Sequence, residues 1–204
     1  HLSGMAQART RAMKRVVFLP TPDPARARWL ARLLAREDVE VTRARAPFSA
    51  ARATAYLGGV AARQSFPAGS YVVDLAQPEA RLATAILEPR AIFDSGFVRS
   101  QLARYERNKI RGKEESPEQY EFYDITAWSL PLTLGLDAWW TEDAAPVAGD
   151  RVMPDDPAPT VAPPLRARSA YVFSDETEAG ARLAISLLRE GFKVAVSTLP
   201  LRAD

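Results

Sequence analysis

Residues 15–36, RVVFLPTPDPARARWLARLLAR, narrow the choice of fold more than any other stretch of the chain. Arg15–Leu19 is apolar and β-rich, and Pro20 with the following TPDP breaks it. From Pro24 the apolar positions Ala27, Leu30, Ala31 and Leu34 recur at i, i+3, i+4 and i+7, which predicts a helix lasting to about Arg36. Asp23 stands where an N-cap belongs, with proline at the first helical position. Val39-Glu40-Val41 then alternates as a short strand, so the whole reads as a β–α–β unit.

A second unit of the same kind is expected near the other end. RSAYVF (168–173) reads as a strand and SDETE as a capped helix start. Ala181, Ile185 and Leu188, with Leu187, supply the apolar face, Gly191 the stop, and Phe192–Val196 a strand. A shift of 154 positions lays Val17 on Tyr171, Ala27-Arg28 on Ala181-Arg182 and Leu33-Leu34 on Leu187-Leu188 without a gap. The second copy has no room for an equivalent of FPAGSYVVDLAQP (66–78), so it reads as truncated.

Between the two units, residues 70–75 read as a buried strand, and Pro78 opens a helix that runs to Glu88 and Pro89. Phe97–Arg111 reads as a basic amphipathic helix with Val98, Leu102, Tyr105 and Ile110 inward. Its Arg99, Arg104, Arg107, Lys109 and Arg111 are expected on a solvated face, the alternative being an acidic partner. Residues 1–14 read as a frayed segment at a cut inside a longer protein. Residues 15–143 form the main α/β region, and 144–166 are a proline-rich linker or long loop. Residues 167–204 are expected to complete the same domain. Strands alternating with helices predict an α/β fold, a layered parallel sheet of β–α–β units with right-handed crossovers and a flavodoxin-like shape.

Composition removes whole classes of chemistry. Among 204 residues there is no cysteine and a single histidine, His1. Disulfides, thiolate sites, cysteine nucleophiles, two-histidine zinc sites and Ser-His-Asp triads are excluded within the chain. A net charge of +2 argues neither for nor against a nucleic-acid partner, and with basic residues dispersed along the chain none is expected. No apolar run is long enough to insert in a membrane, and the N-terminal stretch is no signal peptide.

In an open parallel sheet, ligands bind beyond the carboxyl ends of the strands. The candidates there are Asp23, Asp74, Gln77, Asp175 and Glu176, with caps and turns as their alternative role. No catalytic residue and no metal ligand is expected. Gly58-Gly59 sits in no phosphate-binding context, and Glu114-Glu115 and Asp155-Asp156 read as solvated loop charge.

Residues 123–140, YDITAWSLPLTLGLDAWW, hold three of the four tryptophans. Asp124 is placed to cap a short helix carrying Ile125 and Trp128, which Pro131 stops or kinks. Leucines interleave with the rings, which favours core packing, and Trp139 and Trp140 point to opposite faces of a strand.

Three stretches, 66–89, 122–140 and 169–194, together resemble the region that follows the catalytic domain in bacterial zinc carboxypeptidase-like proteins. The residues that carry the resemblance are Gly69, Tyr71, Val72, Val73, Gln77 and Pro78, then Tyr123, Asp124, Thr126, Ala127, Trp128, Leu130 and Pro131. The resemblance implies a class I glutamine amidotransferase-like fold without its cysteine. It also implies a non-catalytic accessory role, a peptidase domain of the same polypeptide as partner, zinc held in that domain, and a secreted or periplasmic setting. The alternatives are a stand-alone small-ligand-binding module and a carboxylate-dependent hydrolase.

Overall fold

A computed structural model describes residues 12–90, 95–112, 115–121, 129–160 and 162–199. The elements in chain order are β1 (Arg15–Phe18), α1 (Pro24–Arg36), β2 (Thr42–Ala44), β3 (Phe48–Ala55), β4 (Ala62–Phe66), β5 (Tyr71–Asp74) and α2 (Ala80–Leu87). There follow α3 (Ser95–Ile110), α4 (Leu130–Thr133), β6 (Ala138–Thr141), β7 (Gly149–Arg151) and α5 (Glu178–Arg189).

The seven strands form one sheet in the order β4-β3-β6-β1-β5-β2-β7, and every neighbouring pair is antiparallel. The expected parallel sheet is therefore corrected. The first β–α–β unit does form, and β1 and β2 run the same way, but β5 lies between them and hydrogen-bonds to both. Helical and strand periodicity predicts the elements and the direction of the crossover. It carries no information about a later strand that enters the gap. The second strand also sits later than expected: Val39 and Val41 are buried beneath α1, and pairing begins at Thr42.

Both faces of the sheet are covered, which is why Arg15–Phe18 is buried at all four positions. Val16, Phe18, Tyr71, Val73 and Ala138 face α1 and α2 in the main core, with Leu30 and Leu34 fully buried. Val17 and Val72 point the other way, onto Phe66 and Trp139. Trp139 and Trp140 thus divide between the two cores, as strand alternation requires.

The second face is closed by the β3–β4 hairpin. Sheet order sets β3 and β2 four places apart, which in a flat sheet is ~19 Å. The chain from Ala44 to Phe48 reaches at most ~14 Å. The hairpin resolves the conflict by curling. Its register shifts between Ala50 and Ala53, only Ala53–Ala55 pair with β6, and the far end turns over the sheet. There Phe66 packs against Phe48 with the rings tilted, centroids 5.1 Å apart, and meets Trp139 edge-on at 5.6 Å. Residues 67–70 return the chain to β5, with Gly69 at a φ of +85° that a side chain would strain.

Pro131 lies in the first turn of a short helix, α4, while the helix expected from Asp124 through Trp128 falls outside the described residues. One further expectation is revised. Helix α3 is turned over: Gln101 is its buried residue, whereas Leu102, Tyr105 and Ile110 are exposed.

The curled hairpin yields a direct test. Phe66→Ala should cost about 3–5 kcal/mol in denaturant unfolding, the value of a fully buried aromatic. A hairpin projecting flat from the sheet edge would lose far less.

Candidate functional site

The antiparallel sheet separates the residues expected to share a crevice. Asp23 follows the carboxyl end of β1, and Gln77 follows that of β5. Because Arg15 pairs with Asp74 and Phe18 with Tyr71, those termini lie at opposite ends of the two neighbouring strands. Each group is also occupied. Gln77 is buried, accepts from the Glu40 amide at 2.6 Å, and donates to the carbonyls of Glu40 and Asp74. It clamps the approach to β2 against the end of β5. Asp74 receives two hydrogen bonds from the buried Arg15, whose guanidinium also donates to the carbonyls of Ala144 and Ala145. That pair anchors the proline-rich segment to the sheet.

Asp23 is buried and caps two helices. One carboxylate oxygen accepts from Ala25 and Arg26 at the start of α1, at 3.0 and 3.1 Å. The other accepts from the Glu178 amide at the start of α5, at 3.0 Å. Burial pushes the carboxyl pKa up. The amides of Glu178, Arg26 and Ala25, together with the Arg26 charge, pull it down further, so the group ionises below the ordinary carboxylate range. Asp175 and Glu176 lie exposed beside this junction. The α5 cap is Thr177, 154 positions after Asp23, so the two units agree in cap position as well as in sequence.

Around α5, however, the second unit is incomplete. Residues 168–173 and 192–196 pair with no strand among the described residues. Of the helix only Gly180 is buried, against the Ser174 carbonyl, where a Cβ would come within 1.8 Å. Ile185 and Leu188 match Ala31 and Leu34 of α1 in position, yet are more than half exposed, as are Tyr171, Val172, Phe192 and Val196.

The two arginine-rich helices differ in what they meet. Arg107 on α3 and Arg111 just past its end both bond Glu118, Arg107 through two contacts of 2.7 Å, and Arg104 bonds Glu121 at 2.8 Å. Asn108 and Gln101 hold the backbone amides of Glu118 and Glu121 at 2.8 and 2.9 Å. An extended acidic segment of the same chain thus fills the row. The Arg107 hydrogen bond, with the charges of Arg107, Arg111 and Arg104, lowers the Glu118 pKa to about 2 against an opposing desolvation.

On α1 the corresponding row is open. Arg28, Arg32 and Arg36 recur at i, i+4 and i+8 on a helix with no carboxylate of its own. With Ala25 and the half-exposed Trp29 they line a shallow groove of about 190 Å³. Arg32 donates through Nε to the Pro154 carbonyl at 2.7 Å, and no ion pair engages Arg28, Arg32 or Arg36 among the described residues. Tyr71 lies close enough for Arg43 and Arg28 to pull its hydroxyl pKa down, while burial, the larger effect, pushes it up. Sequence reading placed the basic face on α3 and passed over α1. The available signal was a run of four arginines without a single acid within residues 24–36.

No group of three or more Asp, Glu or His suited to a metal ion occurs among the described residues. No protein-family model, curated protein or solved structure matches the chain.

Two outcomes follow from these pairings. Asp23→Ala should destabilise the fold by about 1–2 kcal/mol and speed amide exchange at Glu178. Asp23→Asn should spare the α1 cap and still release Glu178. Above an unfolded-state pKa near 4.5, the clamp on α3 is fully present, and it is lost as pH falls through about 2. Carboxyl NMR should therefore find Glu118 titrating well below the other glutamates, and Arg107→Gln should return it toward them.

Proposed function

We propose that the chain is a non-catalytic accessory domain that packs against the peptidase domain of a zinc metallocarboxypeptidase-like polypeptide. The observation that carries this reading is the apolar surface of the C-terminal unit. Tyr171, Val172, Ile185, Leu188, Phe192 and Val196 stand in water on a segment whose sequence is patterned for burial. Val172 is 73% exposed and Leu188 58%, whereas their counterparts in the first unit, Phe18 and Leu34, are fully buried.

The residues of the first motif behind the family resemblance support the same reading, because they serve shape rather than chemistry. Gly69 makes the turn into β5, Tyr71–Val73 build its core, and Gln77 holds the Glu40 backbone. With one histidine and no cysteine, the chain leaves zinc and the cleavage step to the partner domain. A secreted or periplasmic setting belongs to the same reading. A second reading, a stand-alone ligand-binding module, draws on the open arginine row of α1.

The purified chain should retain no stoichiometric zinc and release no C-terminal residue from peptides. Zinc-dependent hydrolysis by the chain alone would overturn the proposal. Ile185→Glu should leave its unfolding free energy unchanged within ~0.5 kcal/mol, as at any exposed site. A larger loss would mean that the face is already covered within the chain.

A further inference from the structure

We propose that the groove along α1 binds an extended acidic peptide segment through Arg28, Arg32 and Arg36. This site is separate from the apolar surface of α5 and stands or falls independently of the accessory role.

The chain itself contains the mode of recognition. Arg104 and Arg107 on α3, with Arg111 just past its C-terminal end, are satisfied by a segment of the same chain, Ser116–Glu121, lying across them. Glu118 takes Arg107 and Arg111, and Glu121 takes Arg104. The α1 row has the same chemistry with its carboxylates missing. Successive arginines there stand ~6 Å apart along the helix axis. An extended peptide repeats its side chains on one face every ~6.7 Å, so carboxylates on alternate residues keep step with the three guanidiniums. Guanidinium–carboxylate pairing is directional and charge-assisted, which suits a groove too shallow for burial to contribute much.

The surroundings favour such a peptide over a nucleic acid. Trp29 offers only one exposed ring beside the row, where a single strand would need successive stacking surfaces. Glu37 and Asp38 follow directly after Arg36, and Glu40 lies exposed beyond them, so a polyanion continuing along the helix would meet like charge. The nearest acidic loop does not fill the site either. Asp156 accepts from the Met153 amide at 2.9 Å, and the loop meets α1 through the neutral Pro154 carbonyl.

Fluorescence anisotropy of a labelled peptide of alternating Glu and Ala, titrated with the full chain, tests the proposal. Binding should weaken as salt rises and fall roughly tenfold in the double variant Arg28→Gln/Arg36→Gln. The control Arg63→Gln/Arg168→Gln removes the same charge elsewhere and should bind as the parent does. Circular dichroism of each variant checks that the helix is intact, and Arg32 is left in place because it holds Pro154. Equal binding by both double variants would overturn the site. No binding of the peptide at low salt would do so too. Tighter binding of a single-stranded oligonucleotide of equal charge, lost in the same α1 variant, would replace the peptide by nucleic acid.

Discussion

β5 hydrogen-bonds to β1 on one side and β2 on the other, and most of the architecture follows from that insertion. With an antiparallel strand in the gap, the α1 crossover joins two strands that share a direction without touching. The carboxyl termini of β1 and β5 then fall at opposite strand ends. A crevice of the kind that serves parallel α/β sheets has no place to form. The same strand order puts β2 and β3 too far apart for their short link, which forces the hairpin to curl and gives the sheet its second core.

Buried polar groups fasten these parts together rather than meeting a ligand. Arg15, Asp23 and Gln77 are each buried, and each is satisfied by partners distant in sequence. Removing one member of such a set leaves the others unpaired in a poorly solvated place, so their energetic weight exceeds that of an exposed pair. Asp23 has the widest role, because its carboxylate joins the first helix to the last.

The helices show how similar sequences reach different ends. α1 and α5 share spacing and cap position, yet one is sealed by a sheet and the other stands in water. α3 carries a comparable arginine row to α1, but an acidic segment of the same chain neutralises it. Two open surfaces among the described residues stand out, the apolar face of α5 and the arginine face of α1. One suits a protein partner by hydrophobic burial, the other an acidic segment by charge.

Much of the local structure was legible from residues alone. The extent of α1, its Asp23 cap, the helix at 178–189 and the division of Trp139 from Trp140 all follow from periodicity and backbone chemistry, which act over a few residues. The absence of cysteine and of any internal histidine likewise bounds the chemistry without a structure. Strand order, the curl of the hairpin, the inverted face of α3 and the pairing of Glu118 were decided only in three dimensions. Each depends on a contact between residues distant in the chain: β5 with β1, Phe66 with Trp139, Gln101 with Glu121. Periodicity marks which side of a helix or strand is apolar, but what comes to lie against that side is settled by the competition among all surfaces of the folded chain.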